Sequence, residues 1–89
     1  MAHPLHILSM VRKSKTWEQQ TKYYEVDDFF EYLVSVYMNG QFDSFKELLK
    51  ELKKSERQNF VDYVFEYVQS EDLQKIIKYV VGLWLKRQL

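Results

Sequence analysis

The chain has no cysteine, one proline (Pro4) and two glycines (Gly40 and Gly82) in 89 residues. Without cysteine there is no disulfide framework, no thiolate zinc site and no cysteine nucleophile, and of the redox compartments the cytoplasm fits best. So little proline and glycine leaves few places for flexible loops, and two isolated glycines cannot make a phosphate-cradling loop. Net charge is missing too. Thirteen Lys and Arg balance thirteen Asp and Glu, which removes the long-range basic field that most autonomous nucleic-acid binders carry. No apolar run approaches the about eighteen residues of a membrane span. The longest candidates, 29–38 and 76–85, are both interrupted by polar or charged positions. At the N-terminus, the apolar piece Leu5 to Val11 is followed rather than preceded by Arg12 and Lys13, the reverse of a secretory signal. Met10 offers an alternative start, which would make residues 1–9 upstream or vector-derived sequence.

What is abundant is aromatic and helical. Seven Tyr, six Phe and two Trp bring the aromatic fraction to 17%, within 46% hydrophobic and 29% charged residues, the balance of a soluble domain with one modest core. Thr16 to Gln19, Asp28 to Glu31, Ser44 to Glu47 and Ser55 to Gln58 each place a capping side chain three residues before Glu or Gln. That spacing satisfies two orphan backbone donors at a helix start. Ser70, followed by Glu71 and Asp72, marks a fifth start through its acidic first turn. Between these marks apolar residues recur at helical spacing, for instance Phe45, Leu48, Leu49 and Leu52, while strand alternation is nowhere sustained.

The expected fold is therefore all-α: a compact bundle or short irregular stack of four main helices near 28–39, 44–54, 56–69 and 71–87, plus a short N-terminal helix near 17–24. Residues 1–15 read as a flexible arm, partly vector-derived, and 16–89 as a single helical domain. Gly40 supplies the one evident C-cap. A fifteen-residue shift aligns Phe30, Phe45 and Phe60, and brings Ser55 onto Ser70. Three helices of similar length with similar joints would produce that register without any structural repeat. No motif is specific enough to place the chain in a family of small helical proteins.

Two of the helices are apolar nearly all round. In 28–39 the polar positions after the acidic start are Glu31, Ser35 and Asn39, one thin stripe at i, i+4, i+8, and between Phe60 and Val68 only Asp62 and Glu66 are polar. A domain this small can place one helix at its centre, so the surplus apolar surface calls for a second copy, another protein, or tyrosine rings half-exposed at the rim. Tyr32, Tyr37, Met38 and Trp84 are the interface candidates. The helix near 44–54 is the opposite case, with Lys46, Lys50, Lys53 and Lys54 opposite its Leu/Phe stripe. Glu47 and Glu51 at i, i+3 to lysines there read as a solvated face.

Chemistry finds little to work with. His3 and His6 could chelate a metal at i, i+3, but no third ligand is implied, and no Ser-His-acid set can be assembled. Asp27 with Asp28, Asp62 with Glu66, and Glu71 with Asp72 suit helix starts and wet faces better than acid–base work. No enzyme, metal, cofactor, small-molecule substrate or membrane is expected. The function indicated is a small non-catalytic cytoplasmic module, adaptor or regulatory, that binds protein and self-associates through an aromatic-rich face. The rival reading is a DNA- or RNA-binding regulator with a helix-turn-helix-like pair at 44–69. There Arg57, Gln58 and Asn59 would read base edges and Lys50, Lys53 and Lys54 would meet phosphates. Glu56, Asp62 and Glu66 on the candidate reading helix weigh against it.

Overall fold

The computed structural model describes residues 14–89, which form five helices: α1 Trp17–Tyr24, α2 Phe29–Met38, α3 Phe42–Glu51, α4 Lys54–Tyr67 and α5 Ser70–Leu85. There is no strand among the described residues, only an isolated parallel bridge between Lys15 and Leu52. None of these helices is long and apolar enough to cross a membrane. Residues 1–13, including His3, His6, Met10, Arg12 and Lys13, lie outside the described residues.

α2 is the central element. It packs closely against α1, α3 and α4, while α5 packs on α4. Its Phe29, Leu33 and Val36, one face at i, i+4, i+7, are buried with Phe45, Leu48, Leu49 and Leu52 from α3 and its end, Phe60 and Val64 from α4, and Ile76 from α5. Two of the buried phenylalanines and half-buried Phe30 meet as rings. Phe45 lies 5.9 Å from Phe60, and Phe30 stands 5.6 Å from Phe60, distances at which aromatic pairs add to simple area burial.

Two starts are capped as their spacing indicates. Thr16 and Gln19 form a reciprocal capping box at α1. The Asp28 carboxylate accepts from the Phe30 and Glu31 amides at α2 and from the Trp17 indole Nε1 at 2.9 Å. The serines do not cap. α3 begins two residues before Ser44, with Gln41 at the N-cap. Lys53 and Gln69 hold that position for α4 and α5, and none of the three makes a side-chain cap bond. Ser55 and Ser70 thus stand inside first turns. The chain enters α4 and α5 from two-residue extended links, Leu52–Lys53 and Val68–Gln69, and short extended links need no side-chain stop signal. The fifteen-residue register is not structural either: α2 to α5 begin 13, 12 and 16 residues apart, so the aligned phenylalanines fall in different turns.

Three helix ends share one geometry. After α2, Gly40 at φ +78° donates to Tyr37 O and Gln41 to Val36 O, the paired bonds of a Schellman turn. After α1, Glu25 at φ +58° donates to Lys22 O while Val26 donates to Thr21 O. After α5, Arg87 at φ +56° donates to Trp84 O while Gln88 donates to Leu83 O.

The expected solvated glutamate is buried. Glu51 keeps only 4% of its surface, and its Oε1 accepts from Gln20 Nε2 and from the Tyr24 hydroxyl, each at 2.8 Å. Its helix turns it under α1 rather than toward the lysines. Lys15, the last residue of the expected arm, is pinned alongside: its amide donates to Glu51 O at 2.9 Å and its carbonyl accepts from Lys53 N at 3.0 Å.

Candidate interaction surface

α4 and α5 form an antiparallel hairpin, so the first turns of α4 stand beside the last turns of α5. Between them runs an open groove of about 450 Å³. Lys54, Arg57, Gln58 and Val61 line it from α4, Val80, Val81 and Trp84 from α5, and Leu89 closes one end. The floor is aliphatic and indole, and the cationic groups sit on the α4 side. Trp84 is 64% exposed and Leu85, next to it, 70%. Phe65, one turn past Val61 on α4, is 60% exposed. Large exposed apolar side chains in and next to a groove are a usual mark of a contact surface.

Of the four interface candidates, Trp84 lies in this groove and the others do not. Tyr32 is half-buried, its ring 6.0 Å from Tyr24 and 6.1 Å from Phe29, and it edges a shallow acidic hollow formed with Glu25, Asp27, Asp28 and Glu31. Tyr37 is half-buried among Phe42, Phe45 and Tyr79, with ring centroids 5.0 to 5.8 Å away. Met38, at the end of α2, is exposed. The candidates therefore split three ways: Tyr32 at the α1–α2 side, Tyr37 and Met38 toward the end of α2, and Trp84 in the α4–α5 groove.

Sequence reasoning missed Phe65, Val81 and Leu85 as exposed and Leu83 as buried. Residues 79–85 run apolar on every side of α5, so periodicity gives no phase there. The signal that could have found them is continuation of the α5 core stripe. Leu73 and Ile76, carried on by seven residues each, reach Val80 and Leu83, which turns Val81 and Trp84 outward.

The nucleic-acid candidates are dispersed in their engagements. Arg57 Nε donates to Leu52 O at 3.1 Å, tying the side chain to the end of α3, and its burial lowers the guanidinium pKa. Asn59 Nδ2 donates to Glu56 Oε1 at 3.0 Å, and the other Glu56 oxygen accepts the Trp17 amide at 2.7 Å. Lys50 pairs with Glu47 at 3.7 Å. Lys53, Lys54 and Gln58 are exposed. α3 and α4, the proposed helix pair, are joined by two residues yet are not among the closely packed pairs, whereas a helix-turn-helix packs its two helices on each other. Among the described residues no three His, Asp or Glu side chains converge as metal ligands would.

Two tyrosines away from the groove are electrostatically shifted. Burial, with the charges of Asp28 and Glu31, raises the Tyr63 phenol, and burial with Asp43 raises Tyr79. Both effects disfavour phenolate and neither assembles an acid–base pair. Compared with known proteins, the chain matches no family model, no curated protein and no solved structure.

Proposed function

We propose that this chain is a non-catalytic protein-binding module of the cytoplasm, adaptor or regulatory, built as a compact helical bundle that pairs with a second copy through an apolar face. One observation carries the reading: Val81 and Trp84 stand exposed in one groove, with exposed Leu85 next in the chain and exposed Phe65 one turn past the groove's Val61, while the ten-residue core is complete without them. Their burial supplies large apolar area at low side-chain entropy cost, with Lys54 and Arg57 at the rim setting orientation. The polar side chains lining the groove are cationic or amide.

The direct test is molecular mass in solution by sedimentation equilibrium on the full chain from about 1 μM to about 1 mM, the span in which modest interfaces associate. A mass rising from one toward two chains is the expected result. A single-chain mass throughout overturns the self-pairing. Duplex DNA should bind weakly and lose that binding as salt rises, because the net charge is zero and Arg57 and Asn59 are tied to protein groups. Salt-resistant, sequence-dependent binding that Arg57 and Gln58 substitutions remove would reverse the choice of function.

A further inference from the structure

We infer that the α4–α5 face is closed by the same face of a second copy, with the two α4 helices antiparallel about a two-fold axis near Val61; this rests on the self-pairing just proposed and specifies its surface. Lys54, Gln58, Val61 and Phe65 follow each other at i, i+4, i+7 and i+11, one stripe of α4. The buried residues Phe60 and Val64 lie about 100° around the helix from Val61 and Phe65, so the stripe borders the core without entering it. The first three members of the stripe line the groove, and the fourth, 60% exposed, stands beyond it. α4 thus carries a recess on its N-terminal half and a projecting ring on its C-terminal half. Antiparallel pairing brings the ring of each copy to the recess of the other, against Val61, Val81 and Trp84, and satisfies both at once. That is the self-complementarity of a closed two-fold contact.

Charge points the same way. The groove lining holds two cations, Lys54 and Arg57, and no acidic side chain. The projecting ring is flanked by exposed Asp62 and Glu66. About an axis near Val61, Lys54 of one protomer comes level with Val68 of its partner and within one helical turn of the partner's Glu66, twice over. Glu56 does not oppose this, because its carboxylate is turned to the α1 amide and to Asn59. Parallel pairing would instead set lysine on lysine and ring on ring and leave the recess empty. Asp62 lies nearest the axis and faces its own copy there, so its charge opposes association.

The experiment is the dimer dissociation constant of the full chain and its variants, with circular dichroism confirming that each remains helical. Phe65→Ala and Trp84→Ala are each expected to weaken pairing about tenfold or more, as central aromatic anchors do. Lys54→Glu and Glu66→Lys should each weaken it several-fold, and the two together in one chain should restore it, the signature of a direct charge pair. Asp62→Asn should tighten it. A dimer that Met38→Lys breaks and Phe65→Ala leaves unchanged overturns this surface while the self-pairing stands, and so does a charge swap that fails to restore. A chain that stays monomeric at every concentration removes the self-pairing and this surface with it.

Discussion

Glu25 holds at the end of α1 the backbone conformation that Gly40 holds at the end of α2, and its Cβ makes that conformation costly. Glycine there would relieve the left-handed strain while giving back some chain entropy in the unfolded state. Glu25→Gly is expected to raise stability by about 0.5–1 kcal/mol, read from the urea midpoint at unchanged slope. The tyrosines act in the other direction at high pH. The Tyr63 and Tyr79 phenols are raised above the ordinary value near 10, first by burial and then by neighbouring carboxylates. The unfolded chain therefore gives up these protons first. Their contribution is fully present below about pH 10 and is lost as pH rises through the folded values. Melting temperature should fall over that range, and Tyr63→Phe should make the fall shallower.

At the scale of the element, helix existence and type were legible in the sequence because the core stripes are unambiguous where a polar face opposes them. Phe45, Leu48, Leu49 and Leu52 are all buried as their spacing indicates. Helix ends were less legible for a specific reason. Two of the three Schellman turns use Glu25 and Arg87 instead of glycine, and two of the helix starts use extended links instead of the nearby serines. The candidate surface was legible only in Trp84, since α5 is apolar on all sides near its end and the direction of each residue there depends on α4. Two substitutions separate core from cap. Phe60→Ala removes a ring packed on Phe30 and Phe45 and should cost about 3–5 kcal/mol, transfer energy plus cavity. Ser70→Ala, at a residue whose helix has no side-chain cap, should cost less than about 0.5 kcal/mol. Thermal melts of the pair check both, and a large loss at Ser70 would mean that its hydroxyl caps α5 after all.

Across the whole molecule the apolar and polar attachments are unevenly shared. α2 to α5 are joined through the shared core, whereas α1 contributes only Gln20 as a fully enclosed side chain. Half-buried Trp17 and Tyr24 pack on the core's edge. Hydrogen bonds tie α1 as well, among them Gln20 and Tyr24 to Glu51, the Trp17 amide to Glu56, the Trp17 indole to Asp28, the Phe29 amide to Thr21 Oγ1, and the Lys15 bridge to the α3–α4 link. Even the enclosed bond between Gln20 and Glu51 replaces bonds to water in the opened state, so each adds little net free energy. The segment that begins at Lys15 should thus come away as a unit before the rest unfolds. In native-state amide exchange, α1 is expected to open with a smaller free energy than α2 and α4, and Glu51→Ala should lower the α1 value further while moving the others less. Uniform exchange free energies across all five helices would contradict this. The α4–α5 hairpin keeps its core contacts in that opening, so a chain with α1 undocked still presents Phe65 and Trp84. The bonds at Glu51 therefore act as a latch on the N-terminal helix alone: releasing them uncovers the edge of the core while leaving the proposed contact face as it was.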